Sequence, residues 1–171
     1  MCRPVQVKYG KIQNVMKIYL IRHAEEGEDQ GLSKKGQEQA LALALWLKEK
    51  SIRALYSSDR KRASETAEIV APNLKLSPQI ISGFEEVREV EPLESIEEAQ
   101  ERAEGGLLYA VGKNPGRDIA IVAHSKLIRE LLAKLELKEF VESEDLPNTS
   151  VVILDYQDGK FKLLDYAVVP E

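Results

Sequence analysis

Two short runs, VMKIYLI (15–21) and DIAIVA (118–123), are apolar at nearly every position. A strand with one wet face alternates polar and apolar residues. A run that does not alternate is covered on both sides, and that arrangement belongs to parallel sheets flanked by helices. Each run is followed within a few residues by a segment with helical character. LSKKGQEQALALALWLKEK (32–50) carries an Ala/Leu/Trp stretch behind Ser33, a good N-cap. SKLIRELLAKLEL (125–137) begins directly after the second run. Between them lie a short strand, IRALYSS (52–58), a helix, DRKRASETAEIV (59–70), capped by Ser58 or Asp59 and closed by Pro72, and a third strand within LSPQII (76–81). A further helix starts near Ser95 in SIEEAQERAEGGLLYAVGK and is weakened by Gly105-Gly106, before the turn NPGR (114–117). The last stretch, SVVILDYQDGKFKLLDYAVV (150–169), reads as a hairpin around Asp158-Gly159. The expected fold is therefore α/β, a three-layer α/β/α sandwich on a mostly parallel central sheet, ending in a C-terminal β-hairpin.

At 171 residues the chain suits one domain of this type, expected over 16–171, with residues 1–15 as an N-terminal extension. Its VQVKYGKI piece (5–12) is expected to add an edge strand or to contact another copy, which leaves a homodimer open. One cysteine excludes an internal disulfide and a thiolate-rich metal site. A net charge of −5 argues against nucleic acid. The longest apolar run, Ala40 to Leu47, is too short for a bilayer, and the N-terminus lacks the apolar core of a secretory signal, so the expected location is cytoplasmic, away from membranes. Phe84 to Glu104 holds nine glutamates against two arginines. It reads as a solvated helix face and loop, or more sharply as a negative rim toward polyanions or a basic partner.

The chain has only two histidines, His23 and His124, and both stand where an apolar run stops. In open α/β sheets, ligands bind beyond the carboxyl ends of the strands. Arg22-His23, Ser57-Ser58 and His124-Ser125 all fall at such ends, with Arg60 and Arg62 entering the next helix. Two of these junctions are helix N-termini, where unpaired N–H groups and the helix dipole favour an anion. Arginine forks match phosphate oxygens two at a time. A phosphate or carboxylate pocket is the expectation, with a histidine serving as nucleophile when neutral or as donor when protonated. Arg60 and Arg62 could equally be surface charges paired with Glu65 or Glu68. Metal-type histidine spacings, the G-x-S-x-G elbow, the P-loop and the dinucleotide glycine motif are all absent.

The pieces LIRHAE, LSKKGQEQA, LYSSDRKRASETAEIV, IAIVAHSKLIRELL and LPNTSVVIL, in this order from about Met16 to Leu154, resemble the histidine phosphatase superfamily, the phosphoglycerate-mutase-like group. The resemblance implies His23 as the nucleophile that takes the phosphoryl group. It implies Arg22, Arg62 and His124 as the phosphate clamp, with Ser125 where the family usually has glycine. It implies a glutamate after the third strand as proton donor: Glu86 by the apolar-x-Glu pattern of Phe84-Glu85-Glu86, with Glu85 one residue away. Ala24 stands where the family often has glycine, and the family's W-E-G after the glutamate is missing. No metal and no cofactor are implied. The implied activity is a phosphomonoester or phosphohistidine-protein phosphatase of acid-phosphatase type, acting on a phosphorylated small molecule or phosphoprotein. The alternatives are a phosphoglycerate-mutase-type phosphotransferase and a non-catalytic binder of phospho-ligands. The short stretch between Arg62 and His124 leaves little for the lid that a mutase needs.

Overall fold

The structure, a computed structural model, describes residues 15–137 and 145–170. The segment 1–14, and with it the expected edge strand, lies outside the described residues.

Six strands form one mixed sheet: β1 (Met16–Arg22), β2 (Ala54–Ser57), β3 (Pro78–Ile80), β4 (Ile119–Ala123), β5 (Val151–Gln157) and β6 (Lys160–Val168). Their spatial order is β3-β2-β4-β1-β5-β6. The first four are mutually parallel, while β5 runs antiparallel to both β1 and β6. The two unbroken apolar runs are the central neighbours β1 and β4, paired from Ile18 with Ile119 to Arg22 with Ala123. Both faces of this centre are covered. Helices α1 (Lys34–Lys48) and α2 (Lys61–Leu74) pack on the face of Tyr19, Ile21, Ala120 and Val122. Helices α3 (Ile96–Lys113) and α4 (Ser125–Lys134) pack on the face of Ile18, Leu20, Ile119 and Ile121. Alternate residues of one strand thus feed two separate cores, which explains why neither run could alternate in polarity.

Local signals account for most boundaries. The Ser33 hydroxyl accepts the Gly36 N–H and caps α1. Ser95 and Glu98 form a reciprocal capping box at the start of α3. Asp158 and Gly159 both have positive φ, as a two-residue hairpin turn requires, and join β5 to β6. Two expectations need correction. Helix α2 does not close before Pro72 but runs through it to Leu74. So near the C-terminus the proline removes little hydrogen bonding, and Lys75, in the left-handed conformation, caps the end by donating to Ala71 and Pro72. Helix α2 is also not capped by Ser58 or Asp59. Arg60 occupies the cap position, with no side-chain cap bond. As expected, one helix carries Gly105-Gly106 within it, and only Gly106 of the two stands near another backbone. A Cβ on Gly106 would sit 3.4 Å from the Gly83 Cα, in the 3₁₀ turn Ser82–Phe84.

A second close approach involves Gly36. A Cβ there would fall 2.1 Å from the backbone oxygen of Glu25, two residues beyond His23. Backbone cannot yield as a side-chain tip can, so Gly36→Ala should destabilise the protein by about 3 kcal/mol through overpacking. Chemical denaturation of the two proteins measures this. A midpoint equal to wild type would show that the Glu25 loop moves aside freely.

Candidate active site

The parallel strands β1, β2 and β4 end on one edge of the sheet, and β5, being antiparallel, begins there. Arg22, His23, Ser58, His124 and the loop 145–150 therefore meet. The loop is tied down by its backbone: Arg22 N–H donates to Ser150, and Thr149 N–H to Arg22. The Asn148 amide donates to the His23 carbonyl.

The protonation pattern of His23 follows from its partners. Nδ1 lies 2.7 Å from the Ala24 carbonyl, which can only accept. Nε2 receives the Nε–H of Arg62 at 3.0 Å, which can only donate. So Nδ1 carries the proton and Nε2 the lone pair. Burial, chiefly, pushes the His23 pKa down to about 4; the Ala24 hydrogen bond opposes this, and the Arg62 and Arg22 charges add to it. At neutral pH the ring is uncharged and its Nε2 nucleophilic. Ala24 does not need a positive φ, so a residue larger than glycine fits there. Its N–H is used by Thr66 Oγ1 at 3.0 Å.

His124 is fully buried, with its ring centroid 5.1 Å from that of His23. Burial first, then the charges on His23, Arg62, Arg60 and Arg102, push its pKa down to about 2. Its Nδ1 lies 3.7 Å from Glu86 Oε2, too far for a hydrogen bond. Arg62 is 3.5 Å from Glu26, so of the two rival readings for Arg62 the inward one describes it, and neither Glu65 nor Glu68 holds it. Arg22 donates through Nη1 to Asp145, at 2.8 Å, and to the Leu146 carbonyl. Burial pushes Asp145 up, but the Ser125 hydroxyl and Arg22 together hold its carboxyl below the ordinary value. The Ser125 hydroxyl also accepts the Leu146 N–H. Ser125 thus spends its hydroxyl on the 145–146 loop, while its N–H stands at the positive end of α4. Two buried side-chain nitrogens beside His23 lack any hydrogen-bond partner among the described residues, Arg22 Nε, a donor, and His124 Nδ1. Buried polar groups are rarely left so, and an anion between them would satisfy both.

Glu86 reaches this group from the loop after β3. Burial, chiefly, raises its pKa, against backbone N–H donation from Val87 and Leu127 and the charges of Arg62 and Lys126. Glu85, the neighbouring candidate, is not among the residues lining the clefts beside His23. Two clefts meet along Glu86–Glu89. One, about 220 Å³, is lined by Arg22, His23, Ser125 and Asp145 among others. The other, about 320 Å³, is lined by Arg60, Arg62 and Arg88 among others. Among the described residues no three His, Cys, Asp or Glu side chains are grouped to hold a metal ion, and no helix is long and apolar enough to cross a membrane.

The family model of the histidine phosphatase superfamily (branch 1) matches residues 18–91 and 87–169. The chain belongs to this superfamily. Among curated members, it is 26% identical to the Bacillus subtilis (strain 168) protein named Uncharacterized phosphatase PhoE, over 88% of this chain and 94% of that one. It is 27% identical to the Cronobacter sakazakii (strain ATCC BAA-894) protein named Probable phosphoglycerate mutase GpmB, over 85% and 87%. Among solved structures, Bacillus stearothermophilus YhfR superposes with a TM-score of 0.81 at 22% identity, covering 90% of this chain and 98% of that one. The phosphoglycerate mutase of Bacillus anthracis str. Sterne gives 0.80 at 22%, covering 92% and 95%. These two show the shared fold, including the superfamily's mostly parallel sheet.

Several residues of the site carried no signal in the sequence reading. Asp145 and Asn148 sit in a loop whose path is set by pairing of β5 with β1. Arg102 lies on the far side of α3, yet its guanidinium donates to the carbonyls of Ser82, Gly83 and Glu85 and to the Glu94 carboxylate. Glu94, with a side chain only 2% exposed, is therefore no part of a solvated face. It could have been suspected only from the i, i+8 pairing of opposite charges across a helix start.

Proposed function

We propose that this protein is a metal-independent phosphomonoesterase that works through a phosphohistidine on Nε2 of His23. The observation that carries the reading is the fixed tautomer of His23. A carbonyl holds the proton on Nδ1, and among the described residues an arginine alone spends the Nε2 lone pair. Arg62 leaves that lone pair for a phosphoryl oxygen when substrate enters. Nε2 then attacks phosphorus, and the ester P–O bond breaks in line. The departing oxygen takes its proton from Glu86, whose raised pKa suits an acid. The phosphorylated ring is positive, and the Ala24 carbonyl accepting from Nδ1–H stabilises it. In the second step water attacks phosphorus, Glu86 takes the proton, and the P–N bond breaks to return neutral His23 and inorganic phosphate. Arg22, Arg62, His124 and the Ser125 N–H hold the equatorial oxygens, where charge must be met.

Hydrolysis is favoured over return of the group to a second hydroxyl because the rim of the cleft is wet. Glu89 and Lys126, paired across it, have side chains 71% and 37% exposed. Such a rim suits a phosphorylated small molecule or a phosphorylated side chain on a protein. The primary test is turnover of p-nitrophenyl phosphate with trapping of an acid-labile phosphoenzyme. Binding of phosphate without turnover would replace the enzyme by a phospho-ligand binder.

Two further outcomes are expected. Activity should be unchanged in chelator, because arginines supply the positive charge; loss on chelation and recovery with metal would overturn metal independence. In kcat/KM, an acid limb should appear near pH 4, where His23 gains a proton and loses its lone pair. An alkaline limb should appear above the ordinary carboxylate range, where Glu86 loses the proton it must donate. A rate independent of pH from 3 to 9 would contradict both assignments.

A further inference from the structure

Ser58, fully buried at the end of β2, meets the site but has no part in the chemistry proposed above. Its Oγ accepts the N–H of Arg60 at 3.2 Å, closing a short turn at the entrance to α2. The same oxygen lies 2.9 Å from Nε2 of His124. These are its two hydrogen bonds among the described residues, so the hydroxyl hydrogen has one place to go, the His124 Nε2 lone pair. The opposite arrangement would fail twice. If Nε2 carried the proton, the Ser58 hydrogen would be buried without an acceptor. The His124 Nδ1 lone pair would also face Glu86 at 3.7 Å, oxygen against nitrogen with no hydrogen between them whenever Glu86 is ionised.

We infer that Ser58 is a positioning residue that fixes His124 as its Nδ1–H tautomer and so aims a neutral N–H donor toward Glu86 and the phosphoryl site. His124 Nδ1 is the buried, unpartnered nitrogen beside His23, and this assignment makes it a donor rather than an acceptor. An acceptor there would repel a phosphoryl oxygen; a donor binds it. The tautomer stands on the hydrogen bonds alone, and only its use in catalysis rests on the proposed function. Ser58 does not cap α2 because the helix begins later, with Arg60 at the cap position, and the Ser58 oxygen accepts the Arg60 N–H instead.

The test is ring ¹⁵N–¹H correlation NMR on the full chain, which has only the two histidines to resolve. His124 should be the Nδ1–H form in wild type and in Ser58→Thr, which keeps the hydroxyl. In Ser58→Ala its population should shift toward Nε2–H, with p-nitrophenyl phosphate turnover down about 10–100-fold, the scale of one buried group left unpaired. An Nε2–H form in wild type, which requires no variant to fold, overturns the inference. So does an unchanged tautomer in a folded Ser58→Ala. A wild-type Nδ1–H form that shifts in Ser58→Ala, in a protein that turns over no phosphomonoester, upholds the inference and removes the phosphatase reading instead.

Discussion

His23→Ala should reduce turnover of any phosphomonoester by a factor on the order of 10⁴–10⁶, the scale seen when a covalent nucleophile is deleted. Labelled substrate should leave no acid-labile phosphate on the variant. The fold should survive, because the ring contributes few bonds to it: Nδ1 to a neighbouring carbonyl and Nε2 to Arg62. His124→Ala serves as the contrast. It removes a donor from the clamp but not the bond-forming atom, so it should slow turnover while still allowing some label to collect on His23. Label retained by the His23 variant would show that another atom carries the phosphoryl group.

The second large effect separates Glu86 from Glu85. A general acid typically contributes on the order of 10²–10⁴ in rate. That contribution shrinks when the departing oxygen is stable as an anion. Glu86→Gln should therefore slow hydrolysis of alkyl phosphates by about 10²–10⁴ but slow nitrophenyl phosphate far less. Glu85→Gln should change neither substantially, since Glu86 is the one whose carboxylate lies 3.7 Å from His124 and is raised in pKa by burial. Equal losses on both substrates in Glu86→Gln would assign Glu86 to binding rather than to proton transfer. Leaving-group dependence in the Glu85 variant would move the acid one residue along the loop.

The sheet was legible because β1 and β4 are buried on both faces, so that Ile18–Ile21 and Ile119–Ala123 stay apolar without alternating. The meeting of His23, His124 and Arg62 was legible for a related reason: parallel strands send their carboxyl ends to one edge, so residues far apart in the chain become neighbours by topology. What could not be read was anything set by a contact across that edge. Ser58 looked like a helix cap because serine before a helix usually is one; α2 starts further on, with Arg60 at its cap, and the Ser58 hydroxyl meets His124. Ser125 stands where the resemblance expects glycine, and what its added hydroxyl does was invisible until the 145–146 loop claimed it. Pro72 looked like a stop, and its tolerance depends on a left-handed residue three positions on. The acidic run hid Glu94, because opposite charges eight residues apart announce nothing until α3 brings them together.

Arg102 has a consequence for how such an enzyme can diversify. On the proposed function, the nucleophile His23 and Arg22 hang on the end of β1 and Arg62 on the first turn of α2, whereas Glu86 hangs on a loop clipped to α3 by one guanidinium that gathers three carbonyls and a carboxylate. The two halves of the reaction thus have separate mountings. Residues 88–93 can be lengthened, shortened or recharged to suit a new leaving group while the phosphate half stays as it is, provided the clip between Arg102 and Glu94 remains. Selection for a new substrate and preservation of the chemistry then act on different stretches of the same short chain.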